Sequence, residues 1–138
     1  MAELREVHLG EWERGEFRRR AAIRDPQWLQ FAESGRWDMV PGSEGDGPFR
    51  HRVSTAVDAV IERHRGRTVA VVCHGGVINA YIANMYGLDR SFFVTVENTS
   101  VTVVRAGEAQ RRILVVANDC HHLYDPVLND PVVTPATR

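Results

Sequence analysis

Three stretches of this 138-residue chain carry residue types suited to handling an anion. The first is Val69-Ala70-Val71-Val72-Cys73-His74-Gly75-Gly76. Its β-branched run predicts a strand buried on both faces, as in a parallel sheet. Val77, Ile78, Tyr81, Ile82 and Met85 then recur at helical spacing, and Gly87 closes the helix. His74 is therefore expected at the carboxyl end of a central strand, just before a helix, where open α/β sheets bind ligands. Free N–H groups and the dipole at that helix start suit a phosphate, and Gly75 and Gly76 let the backbone come close. Taken alone, the stretch reads equally well as an ordinary β–α turn with a satisfied histidine. The second stretch, Leu4-Arg5-Glu6-Val7-His8-Leu9-Gly10-Glu11-Trp12-Glu13, sets charges, a His and a Trp around Gly10 and reads as an ordered loop. The third, Asn118-Asp119-Cys120-His121-His122-Leu123, follows the last strand.

These groups need a scaffold. Glu13 to Arg24 reads as a helix with Phe17, Ala21 and Ile23 inward. Asp25-Pro26 is an N-cap followed by Pro at the first helical position, opening a helix from Gln27 to Ser34 that stops at Gly35. Residues 37–48 are rich in Gly and Pro and read as a loop. Phe49, Val53, Ala56, Val57, Val60, Ile61 and His64 mark one face of a helix from Pro48 to Arg65, ended by Gly66. Leu88 to Asn98 is a connector. Val101–Arg105 and Arg112–Ala117 suggest a hairpin. A single domain over residues 1–125 and a loosely ordered tail over 126–138 follow from this pattern.

Composition narrows the function classes. Net charge is −1, which gives no global basic field for nucleic acid or a membrane surface. All 17 basic residues are arginine, and no role is drawn from that. No apolar run reaches membrane-spanning length, and Met1-Ala2-Glu3-Leu4-Arg5-Glu6 is not a signal peptide. The two cysteines do not make a disulfide framework, so a cytoplasmic protein with reduced thiols is expected. Cys73-His74 and Asp119-Cys120-His121-His122 could converge on zinc, but neither has ligand spacing, and no metal is assigned.

Four motifs in order resemble the histidine phosphatase superfamily, which includes cofactor-dependent phosphoglycerate mutases. Leu4 to Glu13 is similar to its "L-x-E-x-x-x-G-x-W-E" segment. Val71-Val72-Cys73-His74-Gly75-Gly76 resembles its second-histidine motif, and Asn118 to Leu123 its "N-D-x-x-H-L". Pro41-Gly42-Ser43-Glu44 followed by Arg52-Val53 resembles its "G-x-E-S" to "R-V" spacing, with Gly45 in place of the usual Ser.

The resemblance implies an α/β fold: a three-layer α/β/α sandwich with a mainly parallel sheet and right-handed crossovers. It implies phosphoryl transfer from small phosphomonoesters through a phosphohistidine, without cofactor or metal. His74 matches the second histidine, which holds phosphate oxygens, and Glu6 the acid that protonates the leaving oxygen. Gly75 would contribute a backbone donor, and His122 a substrate contact. Each residue also has a structural reading: a core histidine, a solvated loop carboxylate, a turn glycine, a packing histidine. No His here lies in the "R-H-G" motif of the family's nucleophile, so the nucleophile and the first strand are expected before Met1. The chain alone is expected to be inactive but to bind its small phosphorylated substrate or inorganic phosphate weakly. The alternative is an inactive truncated relative that binds phosphate or a partner chain. Loss of the first strand would leave Val69–Val72 uncovered, so a homodimer, a swapped element, a missing N-terminal segment or poor stability is expected.

Overall fold

The computed structural model describes residues 1–108 and 111–124. They fall into two units, Met1–Thr95 and Val96–Arg138. The expected tail over 126–138 lies outside the described residues.

The first unit is helical. Its α-helices are α1 (Glu16–Ala22), α2 (Pro26–Ser34), α3 (Asp46–Arg63) and α4 (Gly75–Tyr86), with 3₁₀ turns at Ala2–Leu4, Gly10–Trp12 and Trp37–Met39. α1 starts later than its pattern suggests, because Arg14 and Gly15 both take positive φ (54° and 89°) and break the turn before it. α2 begins where expected: the Asp25 carboxylate accepts the N–H groups of Gln27 and Trp28 at 2.9 and 3.4 Å. α3 starts two residues earlier than expected. Pro48 then occupies the first turn, where no intrahelical N–H bond is required of it.

The core grows from the end of α2. Gly35 caps that helix at φ 65°, and its carbonyl accepts the N–H groups of Ser91 and Phe92 at 3.0 and 2.8 Å. A Cβ at Gly35 would lie 2.2 Å from the Phe92 carbonyl oxygen, so this close approach requires glycine. The join brings Phe92 against Phe31, centroids 5.4 Å apart, and Trp12 and Phe17 meet Phe31 at 5.7 and 5.6 Å. Trp12 is a core residue, 1% exposed. α3 packs along α4, burying Phe49, Val53 and Ala56 on one and Val77, Ala80 and Tyr81 on the other.

The second unit is a hairpin of β1 (Val101–Ala106) and β2 (Arg112–Asp119), antiparallel as expected. Arg105 pairs with Ile113 and Val104 with Leu114, while irregularities flank Val103. Asn118, at φ 54°, donates its N–H to Thr102 Oγ1 at 3.1 Å and accepts the Glu97 N–H at 2.8 Å. A short 3₁₀ turn, His121–Tyr124, follows.

The strand expected at Val69–Cys73 does not form here, and no parallel pairing is seen among the described residues. The described residues contain one sheet, and it is the two-stranded antiparallel hairpin, with no crossover. Residues 68–74 lead into α4 without a strand partner. Val69 and Val71 are 43% and 44% exposed, and Val72 is fully exposed. The physical reason is that a two-sided apolar strand forms only when neighbours supply both its ladder and its cover. Among the described residues no helix is long and apolar enough to cross a membrane.

Candidate functional site

Three of the four sequence-selected residues, Glu6, His74 and Gly75, lie at the α4 start. His74 occupies the N-cap position with extended backbone, and its carbonyl accepts the N–H groups of Val77 and Ile78 at 3.1 and 3.3 Å. Its side chain is exposed and caps nothing. The Gly75 and Gly76 amides that follow have no helical partners of their own. The Glu6 carboxylate takes one of them, accepting the Gly76 N–H at 3.2 Å through Oε2 while Oε1 accepts the Val7 N–H at 2.8 Å. A carboxylate against a helix start is favoured by the dipole as well as by the bond. Gly76 permits the approach: a Cβ there would lie 2.1 Å from Glu6 Oε1.

Gly75 is the neighbouring glycine, and its carbonyl accepts the Asn79 Nδ2 at 3.0 Å. Asn79 is buried and fully used. Nδ2 also reaches the Val94 carbonyl at 2.9 Å, and Oδ1 accepts the N–H groups of Phe93 and Val94 at 3.3 and 3.2 Å. This single side chain ties residues 93–94 to the first turn of α4. Cys73, half-buried, has its thiol pushed up, first by burial and then by the Glu6 negative charge, so it stays protonated and is a poor nucleophile.

The strip that carries Glu6 is held by two residues that were quoted in the motif spacing but given no role. Glu44 and Arg52 form a two-pronged ion pair at 2.7 Å on each side. Bonding to Arg52 holds the Glu44 carboxyl below its usual range. Their eight-residue separation places Glu44 just before α3 and Arg52 two turns into it. Asn79 had no such signal, because its partners in residues 93–94 are not marked by any pattern. His122 belongs to the second unit, half-buried in the turn after β2. Among the described residues no three His, Cys, Asp or Glu side chains converge to hold a metal ion. The α4 start thus combines an imidazole, a carboxylate and the Gly75 amide, parts able to receive an oxyanion and move a proton beside it.

Residues 1–119 match the family model described as "Histidine phosphatase superfamily (branch 1)". Over 126 residues the chain is 32% identical to phosphoglycerate mutase-like protein 4 of Arabidopsis thaliana, an alignment covering 88% of this chain and 53% of that protein. The chain thus spans about half the length of that relative. It also resembles the solved structure of Bacillus stearothermophilus YhfR, with a TM-score of 0.69 and 27% identity over 89% of this chain and 62% of that one.

Proposed function

The chain belongs to the histidine phosphatase superfamily, and from that premise we propose that it serves phosphoryl transfer from small phosphomonoesters through a phosphohistidine. His74 holds the phosphoryl oxygens with the Gly75 amide, Glu6 protonates the leaving oxygen, and His122 is a substrate contact of the complete enzyme. Positive and N–H donors aimed at the phosphoryl group stabilise charge that spreads onto its oxygens. A carboxylic acid at the leaving oxygen removes the cost of expelling an alkoxide. The nucleophilic histidine comes from a segment outside these residues. The observation that carries the reading is the Glu6 carboxylate 3.2 Å from the Gly76 N–H, two residues past His74.

The exposed Val69–Val72 run supports a working form in which a further strand covers it, from another segment of the polypeptide or a second copy. The mainly parallel sheet of an α/β/α sandwich belongs to that form. Vanadate or inorganic phosphate titrated into the chain tests the site. Amide resonances of residues 74–76 are expected to shift in wild type and not in His74→Ala; equal shifts in both proteins would rule out the assignment of His74.

A further inference from the structure

The Glu44–Arg52 pair takes no part in the binding and proton-transfer roles proposed above, yet nearly all its bonding atoms face the strip that carries Glu6. Arg52 Nε and Nη2 grip the two Glu44 oxygens at 2.7 Å each. Nη1 donates to the Glu3 and Arg5 carbonyls at 2.5 and 3.1 Å, and Nη2 reaches the Glu6 carbonyl at 3.5 Å. Glu44 Oε2 accepts the His8 N–H at 3.1 Å, and the Glu44 N–H donates to the His8 carbonyl at 3.0 Å. The strip is therefore gripped at Glu3, Arg5, Glu6 and His8, on both sides of the carboxylate. The Phe49 ring lies beneath the guanidinium, 5.1 Å from Cζ. Both charged side chains are mostly covered, 14% and 13% exposed. A pair at this depth gains little net stability from its charges, because desolvation opposes the attraction. What a locked guanidinium does supply is direction: a planar fork with donors at fixed angles, which an ammonium cannot reproduce.

We infer that Arg52, locked by Glu44, is the positioning residue that sets the Glu6 carboxylate against the start of α4. The links are short. Arg52 holds the Glu6 carbonyl and its neighbours, the Val7 N–H holds Oε1, and the Gly76 N–H receives Oε2. Its catalytic consequence rests on the proposed role of Glu6; the geometric claim does not.

The Gly76 amide reports this geometry directly, and the ¹⁵N-labelled 138-residue chain is the sample. The response read is slow solvent exchange of the Gly76 N–H, which its bond to the Glu6 carboxylate is expected to confer and Glu6→Ala should remove. Arg52→Lys keeps the charge and loses the fork, so the response should vanish although the chain stays folded. Val53→Ala, a neighbour in α3 with no solvent exposure, destabilises without touching the grip and should keep the response. Should Arg52→Lys fail to fold, Glu44→Gln takes its place with a weakened response expected. A full response in Arg52→Lys or Glu44→Gln, or its loss in Val53→Ala, would overturn the inference. Retained phosphoryl transfer by a complete protein carrying Glu6→Gln would instead overturn the proposed function and leave the grip standing.

Discussion

Two segments of the first unit converge on the start of α4 and are held in opposite ways. The Glu6 strip is tied by side chains drawn from Glu44 and Arg52, and it delivers a carboxylate to Gly76. Residues 68–73, which deliver His74, have no backbone partner among the described residues and leave three valines in solvent. The difference lies in the kind of bond each needs. Side-chain forks can hold an isolated strip, because every donor and acceptor is supplied locally by the partner residue. Residues 68–73 have no such side-chain or backbone partner among the described residues. The Glu6 strip is therefore fixed by side chains of this chain, whereas residues 68–73 have nothing among the described residues to fix them.

The sharpest way to break this contrast is Arg52→Ala. It strands a mostly covered carboxylate and frees the backbone carbonyls of Glu3 and Arg5, for an expected loss of about 3 kcal/mol in urea unfolding. A loss below ~1 kcal/mol would mean that the strip is held by something else. Next comes Gly76→Ala. Alanine at a helical glycine ordinarily stabilises by up to ~1 kcal/mol. Here the new methyl would meet the Glu6 carboxylate, so a net destabilisation of about 1–2 kcal/mol is expected. Gly47→Ala in α3, with open space around it, is the control and should stabilise.

A smaller effect appears in the pH profile. Arg52 bonds the ionised form of Glu44 and holds its carboxyl below the ordinary value of 4.5. The stabilisation is fully present above that value and is lost as pH falls through the lower folded value. Glu44→Gln should flatten that acid limb of the melting temperature, whereas an unchanged limb would assign it to other carboxylates. The smallest effect belongs to the loose segment. Val72→Ser removes a fully exposed side chain and should change stability by less than ~0.5 kcal/mol, against about 2 kcal/mol for Val53→Ala. Amides 69–72 should exchange rapidly with solvent while those of 80–83 are protected. Slow exchange at 69–72 would reveal a strand partner in solution.

Some of this molecule was written locally. Asp25-Pro26 opens α2, Gly35 and Gly87 end their helices, and Ala106-Gly107-Glu108 leads between paired strands, because caps and turns are decided by φ preferences and donors within a few residues. The motif order marked Glu6, His74 and the histidine phosphatase superfamily without any coordinates. Tertiary structure decided the rest. That the Glu6 carboxylate meets Gly76 across 70 residues, that Asn79 fastens residues 93–94, and that Arg52 grips the Glu6 strip are all consequences of how α3 and α4 pack. The apolar run at Val69–Val72 had the composition of a central strand but not the outcome. Strand formation is a property of pairs, and a β-branched sequence carries only one side of the ladder it needs.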